Sequence, residues 1–255
     1  MGHARADRII LGDLRSRIAQ VERAGRPRRT ALPFGLAALD EHLPDGGLAL
    51  GALHEVADGG ADAEHGAAAA LFVAGALART RGTVLWCLRG RDLFAPALAG
   101  VGLPPRRVVY AEAGNDSTVL TCMEEGLRLG GGALAGVVGE VGRLPMIASK
   151  RLQLAAESSG LMAIALRRWR GPPVDEPTAS LTRWQVTALP SAPLPPGVPG
   201  VGRARWRLEL TRCRGGHAPA TFDVEACDAQ GRLGVPADLA DRPAASPPEH
   251  RRAAG

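Results

Sequence analysis

Residues 51–88 read GALHEVADGGADAEHGAAAALFVAGALARTRGTVLWCL, and this stretch decides the fold. An apolar run, Ala52 to Val56, enters a glycine-containing turn, Asp58 to Gly66. The turn is followed by a helical stretch, Ala67 to Arg79, and a second apolar run, Thr83 to Leu88. Strand, glycine turn, helix and strand in that order form a phosphate-binding βαβ unit. A working loop of this kind reads G-x-x-x-x-G-K-[ST]: its amides cradle phosphates and its lysine reaches the β/γ-phosphates. Here Glu64, His65, Gly66 and Ala67 stand where Gly-Lys-Ser/Thr belongs. The only lysine in the chain is Lys150, far from the turn. Asp58, Asp62 and Glu64 would repel a triphosphate. The architecture of a nucleotide-binding unit is present without its chemistry.

Outward from this unit the alternation continues. Strand-like runs at Arg107–Ala111, Leu134–Val138 and Leu161–Leu166 are separated by helical stretches at Leu93–Val101, Ser117–Leu129 and Pro145–Ser158. Strands alternating with helices of this length predict a parallel sheet. After residue 178 the pattern changes to period two. Leu181–Leu189, Ala204–Cys213 and Phe222–Ala226 read as strands around a proline-rich loop, and predict antiparallel strands appended to the sheet.

On the N-terminal side, residues 7–24 predict an amphipathic helix. Ile10, Leu14, Ile18 and Val21 share one face, and Arg8, Arg15, Arg17 and Arg23 lie mostly elsewhere. The stripe suits either packing on its own domain or docking on a partner. Residues 1–29 are therefore set apart as a helix and basic linker, 30–236 as the main domain, and 237–255 as a Pro/Ala/Arg tail expected to be disordered.

Composition sets bounds. The 255 residues are 45% hydrophobic but only 4% aromatic, so the core is built from Leu, Val and Ala. Arginine supplies 30 of the 31 basic residues, which reads as coding bias. The net charge of +5 admits an acidic partner, nucleic acid included. No signal peptide and no membrane-length apolar run is visible, and the four cysteines show no C-x-x-C pair. They read as reduced thiols of a cytoplasmic protein. Cys213, His217 and Cys227 alone hint at metal spacing, without the closely paired ligands of structural zinc sites.

Other candidate chemistry is thin. His54 and Glu55, inside a buried strand, are expected to make a structural His–Glu contact. His65 has no activated nucleophile nearby, and Ser158 and Ser159 lack a G-x-S-x-G elbow. Two strips mix Arg with Trp, a combination suited to phosphate contact, base stacking or a protein interface. They are Arg167, Arg168 and Trp169, and Arg205, Trp206 and Arg207. With the N-terminal stripe they are the candidate partner-binding residues. No catalytic, cofactor or metal residue is assigned.

The chain resembles the ImuA family of RecA-like accessory proteins. The resemblance is carried by Leu32-Pro33-Phe34-Gly35-Leu36, Leu39-Asp40, Leu43-Pro44-Asp45-Gly46-Gly47-Leu48 and Gly51-Ala52-Leu53-His54-Glu55-Val56. It extends over about residues 30–230, through Arg91-Asp92-Leu93 and Leu98 to Leu103. It implies an α/β fold: a RecA-like three-layer domain with a mostly parallel central sheet extended by antiparallel C-terminal strands. It further implies a non-catalytic adaptor in SOS-induced mutagenic translesion synthesis. The implied partners are an ImuB-like protein, RecA, an error-prone C-family DNA polymerase and single-stranded DNA. Where RecA-type proteins carry a metal-coordinating Asp, this chain has Gly139-Glu140, and no catalytic Glu follows Thr83–Leu88. Glu140 is acidic and of a type able to coordinate magnesium, and the alternatives are a SulA-like division inhibitor or a divergent RecA-like ATPase with an unusual loop.

Overall fold

The computed structural model describes residues 29–236, except residues 61, 131, 133, 169–175, 193 and 195–198; at residue 63 only the backbone is described. The N-terminal stripe, Trp169 and the tail lie outside the described residues. The elements are β1 (Ala31–Leu32), α1 (Ala37–Asp40), β2 (Leu48–Ala49), β3 (Leu53–Asp58), α2 (Asp62–Ala78), β4 (Thr83–Leu88) and α3 (Ala95–Gly100). They continue with β5 (Val108–Glu112), α4 (Asp116–Leu129), β6 (Leu134–Val141), α5 (Met146–Ser159), β7 (Met162–Arg167), β8 (Thr182–Leu189), β9 (Arg205–Cys213) and β10 (Ala220–Glu225).

Eight strands form one sheet in the order β10-β9-β8-β3-β7-β6-β4-β5. Pairing is parallel from β8 through β5. It becomes antiparallel at β8–β9 and β9–β10. The expected mostly parallel sheet with antiparallel C-terminal strands is therefore present. The small β1–β2 ribbon stands apart.

Strand alternation builds the two cores. On β7, Met162, Ile164 and Leu166 face the cluster that contains Phe72, Val73 and Leu77 of α2. The intervening Ala163 and Ala165 face the cluster that contains Val119, Met123 and Leu127 of α4 and Leu152 and Ala156 of α5. Large residues on one face and small ones on the other let α4 and α5 sit close to the sheet. Gly139 of β6 shows how close: a Cβ there would lie 2.2 Å from the Met123 sulfur.

The motif Leu32 to Asp40 is a structural clamp. The Asp40 carboxylate accepts the amides of Phe34 (2.7 Å) and Gly35 (2.9 Å). That turn seats the Phe34 ring on Phe72 of α2 (centroids 5.7 Å, stacked) and edge-on to Trp184 of β8 (5.7 Å). Arg79, at the end of α2, lies over the same ring at 5.7 Å and donates to the Pro33 carbonyl.

The largest departure from expectation is at the phosphate-loop position. β3 runs on to Asp58 and α2 begins at Asp62, five residues before the expected start. Only residues 59–61 join them. The acids read as loop residues, Asp62 and Glu64, occupy the first helical turn, where the helix dipole favours negative charge.

Candidate functional site

In open α/β sheets, ligands bind beyond the carboxyl ends of the strands, where the chain order reverses. Here that place is β3, between β7 and β8. The residues there come from the ends of β3, β4, β6 and β7. They form a dense ion cluster centred on Arg168, the residue after β7. Its Nε and one terminal nitrogen donate to both Asp62 oxygens (2.7 and 3.0 Å), a two-pronged contact. The other terminal nitrogen donates to Glu140 (3.1 Å), and Asp92 lies at 3.3 Å. Burial works against the Arg168 charge, but the hydrogen bonds it donates to Asp62 and the charges of Glu140, Asp62 and Asp92 outweigh it, so its pKa is raised.

Glu140 lies inside β6 and is 2% exposed. Besides Arg168, it accepts the Trp86 indole N–H at 2.9 Å. Burial raises its pKa, against the pull of Trp86 and Arg168. The carboxylate that could have held magnesium is committed to protein donors. The space among Asp62, Arg89, Gly90, Asp92, Glu140 and Arg168 is ≈ 10 Å³, about one water molecule's worth. Lys150 is on α5, exposed, and not among the crevice residues.

Asp58 lies beside the cluster, buried at 4% exposure. Neither carboxylate oxygen has a partner at ordinary hydrogen-bond geometry among the described residues, although the Gly60 amide is near enough to pull its pKa down, as do the charges of Arg168 and His65. Burial, and then the charge of Asp62, push its pKa up to about 6. On the other side, Asp116 accepts the amides of Gly142 (3.1 Å) and Arg143 (2.9 Å) and pairs with Arg89 (3.5 Å). These bonds fasten the start of α4 to the ends of β4 and β6. Among the described residues no group of three or more His, Cys, Asp or Glu is placed to hold a metal.

His54 and Glu55 do not form the expected contact with each other. Successive strand residues point to opposite faces. The His54 ring donates from Nε2 to the Ala49 carbonyl (2.9 Å) and accepts the Thr182 hydroxyl at Nδ1 (2.7 Å). Thr182 in turn accepts the Trp184 N–H (2.9 Å). This arrangement needs a neutral imidazole, and burial lowers its pKa to about 4. Glu55 accepts from Arg167 (3.0 Å), from Ser180 (2.6 Å) and from the Thr178 hydroxyl, with Arg183 at 3.4 Å. Each residue pins β3 to β8, and Glu55 also pins it to β7.

The two Arg/Trp strips split by face. Arg167 is 2% exposed and held by Glu55 and the Gly142 carbonyl. Trp206 is 3% exposed and belongs to the main core. As folded, neither offers surface to a partner, which corrects the expectation for both. Their hydrophobic or ion-pair burial is the physical reason. Arg205 and Arg207 lie on the opposite face of β9: Arg205 is half-buried, and Arg207 is exposed and bound to Asp223 by two hydrogen bonds (2.8 and 3.0 Å). Sequence reasoning marked Arg168 as a surface residue and missed its role as the centre of the crevice. Its partners lie 28 to 106 positions away and meet it only through the strand order.

A parallel sheet with helices on both faces, and a crevice at the strand ends beside a β3–α2 turn, define a RecA-like α/β protein. The crystal structure of the RadB recombinase shares the fold, with a TM-score of 0.56 at 14% identity, covering 80% of this chain and 99% of that one. No protein-family model matches the chain. Protein ImuA of Caulobacter vibrioides, in strains NA1000 / CB15N and ATCC 19089 / CIP 103742 / CB 15, is 38% identical over 220 residues, covering 82% of this chain and 88% of the relative. The chain belongs to the ImuA family. Among the described residues no helix is long and apolar enough to cross a membrane.

Proposed function

We propose that this chain is a non-catalytic adaptor in damage-induced mutagenic DNA synthesis. It works in the cytoplasm by contact, joining an ImuB-like protein and its error-prone C-family polymerase to RecA on single-stranded DNA. The observation that carries this reading is the strand-end crevice. An internal guanidinium, Arg168, already engages three acids of that crevice, and the adjoining turn contains no lysine. A nucleotide would have to displace three carboxylate contacts and bring its own negative charge beside Asp58 and Asp62. The turn offers no residue to position a phosphate or a water for transfer. Family membership supports the repair setting, and the arginines of β9 with the N-terminal stripe are the proposed contact residues.

Calorimetric titration of the full-length chain with magnesium–ATP tests the reading, together with titration of the same preparation with the ImuB-like protein. The expected result is no ATP binding and no turnover, alongside measurable association with the protein partner. Micromolar ATP binding would overturn the non-catalytic reading. Absence of partner association from an ATP-silent chain would overturn the adaptor reading alone.

A further inference from the structure

The sheet ends at β5 on one side and at β10 on the other. The β10 edge is closed at one point, where Glu225 and Gly234 exchange backbone hydrogen bonds (2.8 and 3.2 Å). The β5 edge pairs with β4 on its inner side and with no other strand among the described residues. Exposed edges are ordinarily blunted by proline, lysine, a bulge or an inward-pointing charge. β5 reads Val108-Val109-Tyr110-Ala111-Glu112 and has none of these. Its register with β4 runs unbroken, and its one charge, Glu112, is exposed at its end. Val109, in mid-strand, is 54% exposed.

The polar groups along this edge follow from one bond. The Ala113 amide donates to the Leu88 carbonyl of β4 (2.9 Å). Strand alternation therefore turns the amides of Val109 and Ala111 toward β4. It turns the amides of Tyr110 and Glu112, and the carbonyls of Val108 and Tyr110, away from the sheet. The Val108 amide is already held by the Pro105 carbonyl. The turn before the strand is fixed, because Arg107 donates to the carbonyls of Gly82 (2.8 Å) and Ala78 (2.9 Å). Arg106 is exposed, and the charge beside it is that of Arg107. At the far end Glu112 pairs with Arg91 (2.7 Å), whose side chain is 82% exposed.

An edge arranged in this way is complementary to itself. Set antiparallel about a two-fold axis at Tyr110, each Tyr110 amide meets the second copy's Tyr110 carbonyl. Each Glu112 amide meets the second copy's Val108 carbonyl, so every outward donor finds an acceptor. Val109 then lies opposite the second copy's Ala111 and is covered. Glu112 comes diagonally beside the second copy's Arg106, within the reach of long side chains. With the axis at Val109 instead, each Tyr110 carbonyl would face the Val108 amide, which Pro105 already holds. We infer that β5 is a homodimer edge, on which a second copy of this chain pairs antiparallel and joins the two sheets into one. The inference goes beyond the adaptor reading and does not depend on it. The two β9 faces lie toward opposite ends of the joined sheet, away from the junction.

Sedimentation velocity of the full chain over a wide range of concentration tests this, together with two charge reversals, Arg106→Glu and Glu112→Arg. The parent is expected to form a dimer with a micromolar Kd, as suits a small interface. Each single variant sets like charges against each other at both ends of the paired strands and should raise Kd about tenfold. In an equimolar mixture of the two variants, opposite charges meet again at both ends of the mixed dimer, which should regain the parent's Kd. A variant that had failed to fold could not be rescued in this way. A parent that stays monomeric at every concentration overturns the inference. A dimer indifferent to both reversals uses another surface and overturns it as well. A mixture that associates no better than its two components does the same.

Discussion

Asp58 holds both carboxylate oxygens out of water with no partner at ordinary hydrogen-bond geometry among the described residues, and the nearby Gly60 amide offsets only part of the cost of burying its charge. Its folded pKa, about 6, is above its ordinary value of 3.8. A raised carboxyl pKa means that the fold prefers the neutral form. The stabilisation from that preference is fully present below pH 3.8 and is lost as pH rises through about 6. At neutral pH the charge therefore costs stability. Asp58→Asn is expected to stabilise the protein by about 2 kcal/mol at pH 7.5, with the gain falling to less than half near pH 4. Paired urea titrations of parent and variant at the two pH values measure this. His54 acts with the opposite sign: its pKa is lowered to about 4, so its contribution is complete above 6.5 and is lost on acidification. The parent and variant must for that reason be compared at the same pH. A variant less stable than the parent at pH 7.5 would mean that the Asp58 carboxylate is engaged by a group it needs.

At the scale of elements, the β3–α2 connection is the informative one. It is too short to wrap a phosphate, and its glycine is kept for contact. A Cβ on Gly59 would lie 1.8 Å from the Thr187 hydroxyl oxygen and 3.0 Å from its Cβ. Gly59→Ala is expected to cost about 1–3 kcal/mol. Thr187→Ala added to it should recover at least half, a coupling that a double-mutant cycle on urea midpoints reads directly. Additive effects would show that the turn relaxes in some other way. The same connection shows where sequence reading stops. Runs with clear periodicity, such as β4 (Thr83–Leu88) and α4 (Asp116–Leu129), stand within a residue of their expected bounds. The start of α2 was misplaced because glycines and acids fit a loop and a helix first turn equally well, and only the reach of β3 decides between them. The β1 and β2 strands are two residues each and carry no period at all. The ion cluster was hidden for a different reason. Asp62, Asp92, Glu140 and Arg168 look like ordinary solvated charges until the strand order brings them together.

Over the whole molecule, the antiparallel end of the sheet carries the surface proposed for partner contact. Strand alternation divides β9 cleanly: Trp206, Leu208 and Leu210 enter the core, leaving Arg205, Arg207 and Glu209 for the other face. Arg207 pairs with Asp223 across to β10, an exposed pair of the kind that contributes little to stability, about 0.2–1 kcal/mol. A residue that contributes so little to the fold is free to serve an interface, where arginine is enriched among the side chains that matter most. The double change of Arg205 and Arg207 to Ala is therefore expected to leave the circular-dichroism spectrum and the urea midpoint nearly unchanged. Association with the ImuB-like protein or RecA should weaken at least tenfold, the loss of about 1.4 kcal/mol. Trp206→Ala is the contrasting change. It empties a core position and should cost about 3–5 kcal/mol of stability, so any binding loss it causes reports on folding and not on contact. Equal binding by the parent and the double arginine variant would remove the face of β9 from the interface. The contact would then fall to the N-terminal stripe or to a surface outside the described residues.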